Sequence, residues 1–521
     1  MIAGPRKNGL LNICSIPSRR PALEARFAMP PTVFRAFAAA LLLPALAAQA
    51  GSPVRIVVDA GKPGPPISSD FCGLSFEAQL AESHDGVHYF RPDNPSLIQL
   101  FHTLGVKSLR VGGSTSDRDA HRLPDTNDLD NLFGFARAAG IKVIYCLRLH
   151  NGDPQEDANA VKYMLERYAP QVDCFSIGQE PSAYPKQPAA GAVRPAEGMG
   201  PRFEKFSYAQ YAADWRKFAG AIIAAAPTVR LCGPSVHNNA DWARRFMSDF
   251  GSATWHVDMI TEHLYPGGAG NKVPSPEIGR DRMLSAAFDE KAQKLYNGFV
   301  PMARAAGLPY RLEEVNNYFN GGAKQVSDTF AAALWGLDFM WWWAAHGAAG
   351  LNFHTGDKVA AGAGLHPSRY TAYYSAPNGF HVQPLGYGLK AFDLGCHGRL
   401  APLALTAETQ TNLAAYSVVD ERGAIYVTLI NKDHSGDAQP VKIELSDGKP
   451  MAHARSMTLC APNHDIAATS GVAIGGAEIQ PDGTWNGQWT ELPAPKENAV
   501  SFELKPASAM IVQLCASPTP P

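Results

Sequence analysis

Residues 142–181 read KVIYCLRLHNGDPQEDANAVKYMLERYAPQVDCFSIGQEP. A β-rich run (142–149) is followed by an amphipathic stretch of helical length (155–168), then by a second β-rich run (173–179). That order is the signature of a parallel sheet with crossover helices. The same alternation extends in both directions. Strands are expected at 71–76, 108–114, 229–236, 258–265, 309–316 and 350–355, with helices at 129–139, 208–225, 240–250 and from 326 to about 347. Eight β/α units over roughly 320 residues predict an α/β architecture, a closed (β/α)8 TIM barrel. An open doubly wound sheet is the alternative, but the first strand-to-helix turn lacks a phosphate-cradling glycine fingerprint. Trp341-Trp342-Trp343, in the long helix, reads as core and helix-packing material.

After Leu394-Gly395 the pattern changes. Leu413–Val419, Ala424–Ile430, Val441–Leu445 and Val500–Leu504 alternate between turns of Gly, Asp, Asn and Pro, which predicts a C-terminal all-β sandwich. Val54–Val58 is a strand with no helix behind it, and is expected to cross over and complete that sandwich. The expected layout is a leader (1–50), the joining strand (51–64), the barrel (65–396) and the sandwich (397–521). No internal repeat or low-complexity linker interrupts it.

The 521 residues are 45% hydrophobic, so the chain folds rather than remaining disordered. A formal net charge of −2 gives no global pull toward nucleic acid. No stretch in the body is apolar for the 18 or so residues that a membrane span needs. Phe37–Leu46 is an apolar run with Arg35 ahead and Ala48-Gln49-Ala50 behind, the layout of a secretory signal starting at Met29. The protein is therefore expected to be secreted or periplasmic. Of eight cysteines, Cys14 falls in the leader, and Cys72, Cys146, Cys174 and Cys232 sit in apolar strand-like runs as small hydrophobes. Cys460 and Cys515 share the C-terminal region, where a pairing is open. No His/Cys cluster has metal-ligand spacing.

A barrel carries its chemistry at the C-terminal ends of its strands. The fourth strand ends Gly178-Gln179-Glu180-Pro181 and the seventh Leu312-Glu313-Glu314-Val315-Asn316, so each delivers a carboxyl to the mouth. Hydrolysis of a glycosidic bond needs such a pair, one acid for the leaving oxygen and one carboxylate for the anomeric carbon. Carboxyls about 5 Å apart give a covalent intermediate and retention, whereas about 6.5–9.5 Å gives inversion. Pro181 biases Glu180 to an extended backbone. Alternation along a strand sends Glu313 and Glu314 to opposite faces, without saying which faces the axis.

Together these features resemble the retaining (β/α)8 glycosidases of glycoside hydrolase family 79, the heparanase and β-glucuronidase family, over nearly the whole chain from about residue 54. The strongest segment runs from Leu312 through Tyr318-Phe319-Asn320-Gly321-Gly322-Ala323 to Ser327-Asp328-Thr329-Phe330-Ala331. The family's nucleophile precedes such a glycine-rich loop and Ser-Asp-Thr-Phe-Ala helix start, which makes Glu314 the nucleophile. Glu180 matches the acid/base of a Gly-Asn-Glu-Pro motif, with Gln179 standing where asparagine is usual. Gln179 offers the same sugar-binding amide on a longer stem. The two glutamates would begin in opposite proton states, Glu314 ionised and Glu180 protonated.

The resemblance further implies that Glu77, ending the first strand, grips sugar hydroxyls. Asp117, in a Gly-Gly-x-x-x-Asp turn, would be a second hydroxyl acceptor, with helix capping or pairing to Arg118 as its plain alternative. Tyr265 would bind the nucleophile, and is preferred to His263, which reads as a core side chain. A uronate carboxylate would be held by backbone N–H groups of the loop at Phe319 and Gly321, aided by a tyrosine. Phe319 stands where some members have tyrosine, and Tyr374 is the preferred match within Tyr370–Tyr373–Tyr374. The implied activity is a secreted retaining β-glucuronidase acting on a glucuronic-acid-containing glycan or glycoconjugate, with loops 184–205 and 266–282 deciding exo against endo cleavage. An endo-enzyme of heparanase type, a pentosidase and a non-catalytic glycan-binding protein are the alternatives. Carboxyl chemistry needs no cofactor and no metal.

Overall fold

The computed structural model describes residues 53–117, 122–184, 206–357, 359–361, 364–407, 411–448, 450–496 and 498–515. The expected leader, Arg118 and nearly all of the 184–205 loop lie outside them. After a first strand, β1 (Val54–Val58), eight strands close a parallel barrel in chain order: β2 (Cys72–Glu77), β3 (Ser108–Gly112), β4 (Lys142–Leu147), β5 (Val172–Ile177), β6 (Leu231–His237), β7 (Val257–Leu264), β8 (Tyr310–Val315) and β9 (Gly350–His354). Each begins and ends within two residues of the run read from the sequence.

Helices α1 (Thr126–Ala139), α2 (Pro154–Tyr168), α3 (Tyr208–Ala225), α4 (Ala240–Phe250) and α5 (Phe330–Ala345) are among those around it. In α2 the Asp153 side chain accepts from the backbone N–H groups of Gln155 and Glu156, and Pro154 occupies the first turn, where its missing N–H costs nothing. Ala158, Val161, Met164 and Tyr168 form its buried stripe. α5 starts four residues later than its apolar period suggests. There the first amides find acceptors on the sandwich: Phe330 N–H donates to Ala468 O at 2.8 Å and Ala331 N–H to Ile466 O at 3.0 Å. Trp341 and Trp343 are fully buried, as packing material should be. Trp341 stacks on Tyr416 of the sandwich, and the Tyr416 hydroxyl donates to Asp338 on α5 at 2.8 Å.

The C-terminal sandwich contains β10 (Leu403–Thr406), β11 (Leu413–Val419), β12 (Ile425–Asn431), β13 (Gln439–Leu445), β14 (His453–Cys460), β15 (Ala499–Leu504) and β16 (Ser508–Cys515). One sheet has the order β10-β1-β13-β15, so the N-terminal strand lies in its middle, antiparallel to β10 and parallel to β13. The other runs β11-β12-β16-β14, with short strands at its edges. Val54, Ile56 and Val58 face Val427, Leu429 and Val512 in the core between the sheets, whereas Arg55 points out. All seven described cysteines are free. In the antiparallel β14–β16 pair Cys460 is opposite Ser508 and Cys515 opposite His453, which puts the two thiols at opposite ends. A separation of roughly 20 Å excludes the disulfide left open by the sequence. Among the described residues no helix is long and apolar enough to cross a membrane.

Candidate active site

The tip of β8 departs from regular alternation. Leu312 pairs with Glu262 on β7, and the next pair is Glu314 with His263, so Glu313 is passed over as the extra residue of a bulge. The register also shifts there against β9. As a result both carboxyls turn into the barrel rather than to opposite faces, which corrects the expectation from strand period. Glu313 approaches His263, whereas Glu314 stands at the mouth. Glu314 Oε1 accepts from the Tyr265 hydroxyl at 2.9 Å, and Oε2 accepts from Arg110 Nη1 at 2.8 Å and Gln179 Nε2 at 3.0 Å. Burial alone would raise its pKa. The charges of His354, His263 and Arg110 and the Gln179 hydrogen bond outweigh burial and hold it well below the usual carboxylate range.

Glu180 lies beyond β5, with φ 48° and ψ 52°. This left-handed conformation replaces the extended one expected before proline, and a non-glycine residue there stores strain of about 1–3 kcal/mol. Its N–H donates to Ser235 O at 2.9 Å and its carbonyl accepts from Ala183 N–H at 2.8 Å, contacts that hold the kink. The Glu180 side chain is 26% exposed, against 7% for Glu314. His263 Nδ1 is 3.0 Å from Glu180 Oε1 and 3.8 Å from Glu314 Oε2. One oxygen of Glu180, one of Glu314 and a nitrogen of His263 all lie within 4.8 Å of one another. Burial disfavours charge on His263, but Glu314, Glu180 and Glu313 together push its pKa up to about 9. The three carboxylates therefore favour the protonated form of the ring near neutral pH.

The other expected residues fall into two groups. Gln179, Tyr265 and Phe319 are at the pair: the Gln179 amide bridges Glu314 and Arg110, and the Phe319 ring meets those of Tyr265 and His237 edge-on. Asn320, Gly321 and Gly322 follow with φ of 60°, 75° and 87°. This left-handed turn is one that glycine takes without strain. Glu77 is at the mouth, but its carboxylate accepts from Thr115 N–H at 2.8 Å and Thr115 Oγ1 at 2.7 Å and lies 3.6 Å from His354 Nε2. Asp117 is a structural clip rather than a hydroxyl acceptor. Its oxygens take the N–H groups of Leu149, His150 and Gln179 and the Tyr184 hydroxyl, which fills the lone-pair positions of a carboxylate. Tyr374 packs at a tilt against His381 on a hairpin, while Tyr370 is the tyrosine beside Tyr265 and His354. Arg110 and His354 were missed altogether, the first lying in the middle of β3 and the second at the tip of β9. An arginine in the apolar run SLRVGGS was the available signal, because a buried guanidinium requires carboxylate partners.

Residues 123–340 match the model of the glycosyl hydrolase family 79 N-terminal domain. That segment is similar to family 79 and takes in less than half of the chain. The family segment contains Gln179, Glu180, His263, Tyr265, Glu313, Glu314, Phe319 and Gly321, whereas Glu77, Arg110, Asp117, His354, Tyr370 and Tyr374 lie outside it. A β-glucuronidase of Aspergillus niger is 28% identical over an aligned stretch covering 31% of this chain and 30% of that protein, so the match spans under a third of the relative's length. Among solved structures, the fold is similar to a 4-O-α-L-rhamnosyl-β-D-glucuronidase from Fusarium oxysporum 12S at TM-score 0.64 and 18% identity, covering 88% of this chain and 100% of that one. A GH51 arabinofuranosidase from Xanthomonas axonopodis pv. citri follows at TM-score 0.62 and 14% identity, covering 89% and 100%. At such identities these likenesses establish the (β/α)8 barrel with its sandwich, and nothing of the substrate.

Proposed function

We propose that this protein is an exported retaining β-glucuronidase of family 79. The observation that carries the reading is the 4.8 Å limit on the separation of the Glu180 and Glu314 oxygens, joined to their unequal surroundings. That spacing fits a double displacement and is shorter than the roughly 6.5–9.5 Å that inversion requires. Glu314, buried and held ionised, attacks the anomeric carbon while Glu180 gives its proton to the leaving glycosidic oxygen. The Glu180 carboxylate then takes a proton from water, whose oxygen displaces Glu314 and restores both groups. The β-configured product retains its stereochemistry.

Preference for glucuronate is supported by the relative's name and by the left-handed turn at 320–322, where among the described residues no backbone amide donates within the chain. Such amides suit an anionic carboxylate. The Tyr370 ring lies beside that of Tyr265, at 6.2 Å between centroids. Export rests on residues 35–50, and a mature chain still carrying residues 29–50 by mass spectrometry excludes it. A panel of aryl glycosides read by NMR tests the activity. The expected result is rapid release from p-nitrophenyl β-D-glucuronide with the β-anomer formed first. Faster cleavage of an unsubstituted pentoside, or the α-anomer first, refutes it, while internal cleavage of heparan sulfate makes the action endo.

A further inference from the structure

Behind the two glutamates of the mouth sits a third. Glu313 is 0% exposed, and among the described residues neither of its oxygens has an aligned hydrogen-bond donor. A carboxylate buried in that way is costly unless a cation compensates it. The nearest is His263, whose Nε2 lies 3.5 Å from Glu313 Oε1 while Nδ1 faces Glu180 at 3.0 Å. One imidazole therefore stands between Glu313 and the reacting pair. The bulge makes this possible, since regular pleating at position 313 would turn the carboxyl out toward the helices.

We propose that Glu313 is a positioning residue: its carboxylate keeps His263 doubly protonated, with Nε2–H directed at Glu313 and Nδ1–H at Glu180, and so holds the acid/base carboxyl in place through both chemical steps. The proposal rests on Glu180 and Glu314 having the roles given above.

Charge around the ring agrees. From β5 comes Glu180, from β8 Glu313 and Glu314, and from β6 His237, whose own pKa is lowered by burial despite Glu180. Arg110 on β3 reaches the ring only through Glu314. Glu262, the neighbour of His263 on β7, turns away to accept from Asn239 N–H at 3.4 Å. Burial would raise the Glu313 pKa, yet His263 and Arg110 bring it below the ordinary value. At the barrel mouth Glu77, Glu313 and Glu314 have lowered pKa, and Arg110, His263 and His354 have raised pKa. Removing the charge of Glu313 takes away one of the three carboxylates that hold the proton on His263.

The test uses full-length protein with 15N-labelled histidine, the His263 signals being assigned by their loss in His263→Asn. In the wild type both ring nitrogens should be protonated at about pH 7.5. Glu313→Gln should lower the pH at which His263 titrates by at least about one unit, the effect of removing an opposite charge at this range. The alkaline limb of kcat/KM on p-nitrophenyl β-D-glucuronide should move down with it, and Glu313→Asp, which keeps the charge, should recover most of both shifts. A neutral His263 in the wild type overturns the proposal even if the variants do not fold. So does a Gln variant that melts like the wild type and leaves the titration where it was. A titration that moves in a protein cleaving no glycoside leaves the Glu313–His263 coupling standing and refutes the functional reading. Cleavage with an unmoved titration refutes the coupling alone.

Discussion

At the end of β8, Glu314 is 7% exposed and takes hydrogen bonds from Arg110, Gln179 and Tyr265, whereas at the end of β5, Glu180 is 26% exposed and faces the rings of His263 and His237. The strands differ in how they deliver these side chains. β8 inserts an extra residue and draws its carboxyl inward; β5 stops early and lifts its own on a left-handed kink. The lesson is that identical side chains acquire opposite duties from backbone placement. A fixed and ionised carboxylate suits attack on carbon, and a partly open one suits passing a proton to a departing oxygen and then taking one from water.

Substitutions should separate these duties by size and by dependence on the leaving group. The largest loss is expected for Glu314→Gln, which removes the attacking oxygen: turnover of every glucuronide should fall by roughly 10,000-fold or more at an unchanged melting temperature. Activity within tenfold of wild type in steady-state assays would mean that β8 does not supply the nucleophile. Glu180→Gln should cost about 100–10,000-fold on substrates with poor leaving groups and far less on activated aryl glucuronides. A uniform loss across a series of phenols of graded acidity would erase the proposed contrast between the tips. The smallest effect belongs to Tyr265→Phe. Loss of one hydrogen bond to a charged group, worth about 1.5–3 kcal/mol, lowers kcat/KM by roughly 10- to 100-fold, and no change would show that two donors suffice to hold Glu314.

Much of this was legible beforehand, for identifiable reasons. The barrel strands are buried on both faces, so they read as continuous apolar runs, and Glu180 and Glu314 punctuate the ends of two of them. What escaped depended on register and on long-range partners. The bulge at Glu313 leaves no mark in a pattern of period two, because a single inserted residue looks like any other. Asp117 was misassigned since its four donors come from the ends of β4 and β5, far from it in sequence. Tyr370 and Tyr374 sit four positions apart on a loop and hairpin whose path no local preference dictates. Arg110 was visible as a letter but not as the bridge between Gln179 and Glu314.

The placement of β1 bears on how the molecule is made. Val54 lies beside Val441, so the second strand of a central sheet pair emerges from the ribosome roughly 390 residues after the first. Its other neighbour, β10, comes only about 35 residues sooner, so Val54, Ile56 and Val58 must wait through synthesis of the entire barrel for either mate. Closing so long a loop costs little more entropy than closing one of half the length. The delay therefore weighs on kinetics, and a nascent chain halted before β10 would retain a sticky, unpaired beginning for chaperones to guard.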